Sequence, residues 1–369
     1  MTRISRYLLK ELLVPLGVWV AFLFLLLFVM QFLLGTDVLL GASVTLVDVA
    51  RLIVYLTPRF LMMALPVAFL LAILLGLGRL GEDHELTALQ SLGVGPARLL
   101  AAPMGIAVVL SALMLLITST ALSWGSSGVA ELVSEVIQRN AVGEVKPGTF
   151  YENFGALTLY TEEVSPDGQW TNVLLHDERE QTTPLLVVAH RGKVGTASGS
   201  QVLRFALEGG EVHRSARASE SYELIHFDRA EINLEFGGAS AKGRRFTSSK
   251  EETTLMALYE AAQDAKANGG YPHIPLTAMH SRLGAALAPM AFALLGTPLA
   301  IGRRQAGKAW GYLLTLGGYV LYYMLSRVFE QFGQQGRLPP LLAGQLANLI
   351  FMAMGLVALY RVSRSGTLK

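Results

Sequence analysis

The chain has 369 residues, of which 52% are hydrophobic and only 16% are charged, whereas a soluble domain usually carries about 25% charged residues. It contains no cysteine, which excludes disulfides, thiolate metal sites and cysteine nucleophiles. The formal net charge is +2 without a basic block, so the charge pattern gives no argument for nucleic-acid binding.

Six stretches of at least 18 residues contain no Asp, Glu, Lys or Arg. About 20 helical residues cross a hydrocarbon core of roughly 30 Å, and a charge at its centre costs at least ~2.5–3.5 kcal/mol on insertion scales. The pattern therefore predicts a polytopic α-helical membrane protein with six transmembrane helices. The stretches are 12–36, 60–78, 99–130, 283–302, 309–326 and 338–360.

The short connections between these stretches differ in basic residues. Those on the side of the N-terminus carry eleven Lys and Arg residues, and those on the opposite side carry four. Cytoplasmic loops are enriched in Lys and Arg, so both termini are expected in the cytoplasm. The predicted organisation is three helices in 1–124, an extracytoplasmic domain in 125–278 and three helices in 279–369.

The connection after the second stretch predicts a short amphipathic helix over 82–93. Acidic residues fall in its first turn, where the helix dipole favours negative charge, and leucines then recur every third residue. The helix either docks in a groove of another protein or lies among lipid headgroups, where such helices usually have a basic polar face. The acidic leading end favours docking. The candidate docking residues are Glu82, Asp83, Glu85, Leu86 and Leu89.

The segment 125–278 changes to a period of two. Residues 203–208 and 230–236 alternate apolar and polar side chains, which is typical of half-buried strands. Turn signals such as Gly192 and Gly209-Gly210 recur between these runs. Eight or so short strands with such turns predict an all-β antiparallel sandwich or jelly roll. A helical pattern over 250–268 then leads back to the fourth stretch.

No motif for catalysis is present. His84-Glu85 begins the zinc-protease pattern HExxH, but Ala88 stands where the second histidine is needed. The sequence has no P-loop pattern, so ATP that drives it must be hydrolysed by a separate partner. Charge-free spans also disfavour an ion-coupled carrier, which places ionisable groups at mid-membrane. We expect a non-catalytic protein that needs no cofactor or metal.

Arginines recur near the outer ends of the predicted spans. Arg59 and Arg327 border the second and fifth spans, and Arg51 and Arg337 lie in outer connections. The arginine fork matches phosphate oxygens, which suggests a cationic rim for an amphiphile with phosphate groups. The alternative is that these side chains snorkel to lipid phosphates.

Four sequence pieces within this organisation resemble the LptF/LptG permease family, and the resemblance covers essentially the whole chain. The most specific piece is the loop helix RLGEDHELTALQSLG, at 79–93. The others are RYLLKEL at 6–12, HSRLGAALAPMAFALLGTPLAIGRR at 280–304 and RLPPLLAGQLANL at 337–349. Between the two branches of the family, we favour LptF.

The resemblance implies a bacterial inner-membrane permease that extracts lipopolysaccharide. It implies a heterodimer with a second permease of the family on a dimer of the ATPase LptB, and transfer along periplasmic jellyrolls through LptC to LptA. Lipopolysaccharide would enter between spans one and five, and Glu85 matches the family's ATPase-coupling glutamate. Some members have basic residues near the outer end of span one, where this chain has Gln31-Phe32.

These implications define two further sets of candidates. The candidate lipopolysaccharide-binding residues are Gln31, Phe32, Arg51, Arg59, Arg327 and Arg337. The candidate residues of a periplasmic conduit for acyl chains are Leu203, Phe205, Ile232 and Leu234.

Three other functions compete with this interpretation. Mechanotransmission ABC permeases have four spans with the large domain after the first, which disagrees with six. A membrane-anchored periplasmic enzyme would need a catalytic constellation. A structural scaffold of an envelope complex remains open on sequence grounds, and co-purification of a soluble ATPase distinguishes it from a permease.

Overall fold

The computed structural model describes residues 3–34, 44–143, 147–151, 157–165, 168–177, 184–196, 202–215, 222–235, 253–302 and 307–365. The chain divides into two compact units. The helical unit is formed by Met1–Met30, Leu56–Gly125 and Lys250–Lys369. The sheet unit is formed by Gln31–Tyr55 and Ser126–Ser249.

The helices follow the apolar stretches of the sequence. In chain order they are α1 (Arg3–Leu34), α2 (Leu46–Glu82), α3 (Glu85–Ser91), α4 (Pro96–Leu99), α5 (Ala101–Leu116), a π-helical turn (Ile117–Ala121), α6 (Leu122–Gly143), α7 (Leu255–Ala267), α8 (His273–Gly302), α9 (Gly307–Gln334) and α10 (Pro340–Ser365). The linker helix predicted over 250–268 is α7, which begins after Thr254. The Thr254 hydroxyl accepts a hydrogen bond from the Ala257 amide at 3.1 Å, as an N-cap residue does.

Five described segments are long and apolar enough to cross a membrane. They are Ile4–Leu33, Leu46–Glu82, Pro96–Val133, His273–Gly302 and Pro340–Arg364. The remaining predicted stretch, 309–326, lies in α9, which has 28 residues. Four tyrosines and three glycines within that stretch make it less apolar than the others. Five of the six predicted spans are thus confirmed as apolar helices of sufficient length, and the span in α9 stays a prediction.

Glycines bring α8 and α10 into backbone contact. A Cβ atom added at Gly284 would collide with the Gly344 carbonyl, and one at Gly355 would lie 2.7 Å from the Leu294 carbonyl. Gly284 of α8 thus meets Gly344 of α10, and Leu294 of α8 meets Gly355 of α10. Because residue numbers increase in the same direction along both helices, α8 and α10 run parallel. Small residues at such positions are how membrane helices approach closely.

A buried polar chain ties α9 to the same pair of helices. The Tyr322 hydroxyl on α9 donates to Asn348 Oδ1 on α10 at 3.0 Å. Asn348 Nδ2 donates to the Gly284 carbonyl on α8 at 2.8 Å. Beside this chain the rings of Phe292, Tyr322 and Phe351 pack with centroids 5.0–6.0 Å apart. The three helices therefore share one interlocked core.

The described strands form one six-stranded antiparallel sheet in sequential order, β1-β2-β3-β4-β5-β6. They are β1 (Phe150–Tyr151), β2 (Leu157–Val164), β3 (Gln169–Asp177), β4 (Leu185–Thr196), β5 (Val202–Ser215) and β6 (Tyr222–Glu235). The all-β antiparallel domain is confirmed. The two packed sheets of a jelly roll are not resolved in the part of the chain that the structure describes, where the strands make a single meander.

The described strands are longer than the sequence predicts, because two of the glycine signals lie inside strands and not in turns. Gly192 lies inside β4, and Gly209-Gly210 lies inside β5. Gly209 has a φ of 59°, and a Cβ at Gly210 would lie 2.7 Å from the ring of Phe227. Glycine inside a strand marks a bend or a close approach, and here it allows the long strands to bend without ending.

Candidate functional site

The predicted loop helix is shorter in the structure than in the sequence-based prediction. α2 continues to Glu82, and α3 begins only at Glu85. Between them His84 has a φ of 59° in the left-handed region, which an α-helix of L-residues does not continue through. The three acidic residues are therefore divided among the end of α2, the turn at Asp83 and the start of α3.

The leucines of α3 also divide into inward and outward positions. Leu86 is 4% exposed and belongs to the core of the helical unit, whereas Leu92, just after α3, is 80% exposed. Leu89 is half-buried against the same core. The exposed side chains on either side of α3 thus include Glu82, Asp83 and Leu92, while Leu86 packs into the core.

The N-terminal third of α1 is attached to α2 and α3. Tyr7 donates its hydroxyl to Glu85 Oε2 at 2.7 Å, and Glu11 pairs with Arg79 at 2.5 Å. Leu8 and Leu12 are fully buried in the core. A Cβ at Gly76 would lie 3.2 Å from the Glu11 carbonyl, so the two helices are in close contact there.

The rest of α1 presents a long apolar surface. Its aromatic contacts with other helices include Trp19 with Tyr312 of α9, at 5.7 Å between centroids, and Phe24 with Phe60 of α2, also at 5.7 Å. Large side chains nevertheless point away from the protein along the helix. They are Val14, Val18, Phe22, Leu25, Leu26, Val29, Met30 and Leu33. Such a surface suits contact with acyl chains.

Two candidate rim arginines in the helical unit differ in their surroundings. Arg327 pairs with Glu330 at 3.0 Å, and its guanidinium lies 5.0 Å from the ring centre of Tyr323. Arg59 is half-buried within α2. The third candidate rim arginine of this unit, Arg337, is exposed in the turn between α9 and α10.

The other rim candidates belong to the sheet unit. Arg51, predicted in a loop, lies in α2 and pairs with Glu135 of α6 at 3.0 Å. Gln31 and Phe32 are half-buried near the end of α1. An arginine that holds a carboxylate can still receive phosphate, because its fork has five donors.

The conduit candidates lie opposite one another on β5 and β6. Phe205 pairs with Ile232, and Leu203 pairs with Leu234. Phe205 is fully buried with its ring 6.0 Å from Trp170, and Ile232 is half-buried. The side chains of Leu203 and Leu234 lie outside the described residues. Arg204 and Glu231, each adjacent along its strand to one of these positions, face the other side and form an exposed ion pair at 3.6 Å.

Two polar arrangements escaped sequence reasoning. Tyr7 stands in the piece RYLLKEL, but nothing in its spacing connects it with Glu85. The Thr253 carbonyl accepts hydrogen bonds from Arg282 Nη1 at 2.7 Å and Ser123 Oγ at 2.9 Å, which fixes the chain where it enters α7. Periodicity reports which face is apolar and gives no information on polar partners far along the chain.

The fold and site define a multi-pass helical membrane protein with a β domain inserted in its sequence. No group of three or more His, Asp and Glu residues that could hold a metal ion occurs within the described ranges.

The chain belongs to the family described as "Lipopolysaccharide export system permease LptF/LptG", whose sequence model matches residues 6–361. It is 24% identical over 364 residues to the lipopolysaccharide export system permease protein LptF of Escherichia coli strain K12. The alignment covers 96% of this chain and 93% of that protein. The protein of the same name from Shigella flexneri is similar to the same extent.

Proposed function

We propose that the protein is a permease subunit that extracts lipopolysaccharide from the outer leaflet of the bacterial inner membrane and delivers it to a periplasmic bridge. Membership of the family carries this proposal, because its description names lipopolysaccharide export. The outward apolar surface of α1 supports it. Each CH₂ group removed from hydrocarbon costs about 0.8 kcal/mol, so a lipid with several acyl chains needs apolar protein surface along its route.

The proposal includes six spans, with both termini cytoplasmic and the β domain periplasmic. The parallel packing of α8 and α10 supports a membrane crossing by α9, which would bring the number of spans to six. Because α9 connects the C-terminal end of α8 to the N-terminal end of α10, it has to return across the same thickness. An even number of crossings then leaves both termini on the side that carries most of the Lys and Arg residues.

Energy comes from a separate LptB-type ATPase dimer that docks at α3. The other proposed partners are a second permease of the family, LptC and LptA. The docking surface combines the acidic residues before and at the start of α3 with exposed Leu92. A carboxylate at this surface can form a charge-assisted hydrogen bond with an arginine or lysine of the ATPase.

Co-purification tests this proposal directly. When this chain is expressed with the second permease of the family, a soluble ATPase should co-purify with them. Glu85→Lys should release the ATPase or uncouple ATP hydrolysis from lipopolysaccharide transport. Thr87→Ala, on an exposed position of the same helix, is the matched control and should behave as wild type. Unchanged complex yield and transport in Glu85→Lys would contradict ATPase docking at α3, and a wild-type complex without ATPase would favour a scaffold.

The β domain is proposed to conduct acyl chains past the buried face that contains Phe205. Photocrosslinkers at Leu203, Phe205, Ile232 and Leu234 should capture lipopolysaccharide in an ATP-dependent manner. The ion pair of Arg204 and Glu231 provides matched outward positions. Capture only at these outward positions would argue against an interior route.

Arg59 and Arg327 are proposed to contact lipopolysaccharide phosphates, since no Lys or Arg stands beside Gln31-Phe32. The double variant Arg59→Gln, Arg327→Gln should retain less lipopolysaccharide during purification and release less on ATP hydrolysis. If the two arginines only snorkel, each loses a solvent-screened contact and little changes. Wild-type retention and release in an intact complex would therefore assign the phosphates to other residues.

A further inference from the structure

The hydrogen bond between Tyr7 and Glu85 joins two elements with different predicted tasks. Tyr7 lies near the start of α1, and Glu85 is the first residue of α3. Their side chains meet at 2.7 Å, although 78 positions separate them in the chain. A carboxylate can accept about four hydrogen bonds through its two oxygens. Glu85 can therefore hold Tyr7 and a cationic side chain of a docked ATPase at the same time.

α1 makes two polar contacts with α3 and α2 at its base and is more exposed along the rest of its length. Tyr7 and Glu11 are one helical turn apart and make the two polar bonds to α3 and α2. Pro15 lies inside the helix, where it cannot donate to the Glu11 carbonyl, and such positions bend helices. Beyond Pro15, seven large side chains of α1 are exposed, with Leu25 60% exposed, while others such as Trp19 and Leu23 pack against the core.

We propose that Tyr7 is a positioning residue that transmits the state of the ATPase contact at α3 to α1. The inference rests on the proposed function, because it takes Glu85 as the residue nearest the ATPase. When the ATPase moves α3, the Tyr7–Glu85 bond carries the base of α1 with it. The segment beyond Pro15 then changes its tilt and alters the apolar surface presented to lipopolysaccharide.

A purely structural role for this bond fits the contacts less well. The Tyr7 side chain is exposed, and a hydrogen bond in such a place adds little to stability because water replaces it readily. The base of α1 is already fixed by Leu8 and Leu12, which are fully buried. Loss of the Tyr7 hydroxyl should therefore leave folding and assembly intact and affect only the transmission of movement.

The test uses the complete complex of both permeases and the ATPase in proteoliposomes loaded with labelled lipopolysaccharide. Lipopolysaccharide delivered to a soluble LptA-type acceptor is measured together with ATP hydrolysed. Tyr7→Phe should lower delivery per ATP about three- to tenfold, the range for losing one ordinary hydrogen bond that is exposed to solvent. ATPase co-purification should equal that of wild type. Tyr360→Phe is the matched control, because Tyr360 is an exposed tyrosine near the end of α10.

Combining Tyr7→Phe with Glu85→Ala, which removes the acceptor of the Tyr7 hydroxyl, separates transmission from a general defect. If Tyr7 acts through Glu85, the double variant should be no worse than Glu85→Ala alone. Additive losses, or wild-type delivery per ATP in Tyr7→Phe, would overturn the inference while leaving the proposed function intact. A wild-type complex that hydrolyses ATP and delivers no lipopolysaccharide would instead overturn the proposed function, and this inference with it.

Discussion

Two parts of the helical unit are held in opposite ways. α8 and α10 touch through their backbones at Gly284 and Gly344, and Asn348 bridges them inside the core. α1 is held by side chains at its base and exposes apolar groups over the rest of its length. In the first part an added methyl group would collide with the backbone, whereas in the second several large side chains are more than half exposed.

The difference indicates which helices form a frame and which can move. Backbone contact between α8 and α10 has few alternative arrangements, because close-packed interfaces do not deform continuously. A helix held beyond its base by fewer packing contacts can tilt at smaller cost, since the lipid that replaces its neighbours is as apolar as they are. We therefore regard α8 and α10 as the frame and α1 as the movable wall, and the following predictions test that division.

Within the frame, the largest effect is expected where a single added methyl group meets the backbone. Gly284→Ala should destabilise the protein by about 1–3 kcal/mol, because its Cβ would press on the Gly344 carbonyl. Gly317→Ala on α9 is the matched control, since a Cβ there meets no atom within 4 Å. The control should be neutral or slightly stabilising, and thermal unfolding in detergent measures both. Equal stability of the two variants would contradict the frame.

The buried polar chain should contribute less than the backbone contact. Asn348→Leu removes the bonds to Tyr322 and Gly284 and should cost about 1–2 kcal/mol, whereas Tyr322→Phe removes one bond and should cost about 0.6 kcal/mol. The same unfolding assay compares them. A larger loss in Tyr322→Phe than in Asn348→Leu would show that Asn348 does not link the three helices.

The smallest effect on stability is expected at exposed positions in the outer part of α1. Leu25→Ala should change the unfolding free energy by less than about 0.5 kcal/mol, the usual range for exposed positions. Leu12→Ala, at a fully buried position in the base, should cost about 2–5 kcal/mol. Similar losses at both positions would mean that the outer part of α1 is as firmly packed as its base.

The sequence predicted the membrane helices well because the hydrocarbon core acts on composition alone. Charge-free stretches are visible without knowledge of any neighbour, and five became apolar helices of spanning length. The sequence signal for a membrane span is weaker in α9, because the stretch contains tyrosines. At least one of them makes a contact between helices, since Tyr322 hydrogen-bonds Asn348 of α10. Hydropathy cannot separate a tyrosine that packs in a helix bundle from one that contacts water.

Local backbone geometry and distant polar contacts were not predictable in the same way. Nothing in the sequence marks His84 as the left-handed residue that separates α2 from α3, because glycine is the usual signal for that conformation. Gly209-Gly210 was assigned to a turn, although it lies within β5. The Tyr7–Glu85 bond depends on how α1 packs beside α2, which one sequence does not specify.

Photocrosslinking along the exposed face of α1 tests the central claim most directly. A crosslinker at Leu25 and one at Ala291, which is fully buried in α8, compare the movable wall with the frame in the same complex. Our account predicts a lipopolysaccharide adduct at Leu25 that changes in yield when ATP is added, and none at Ala291. Adducts at neither position, or a yield at Leu25 that does not change with ATP, would contradict the proposal that α1 is a movable wall in contact with lipopolysaccharide.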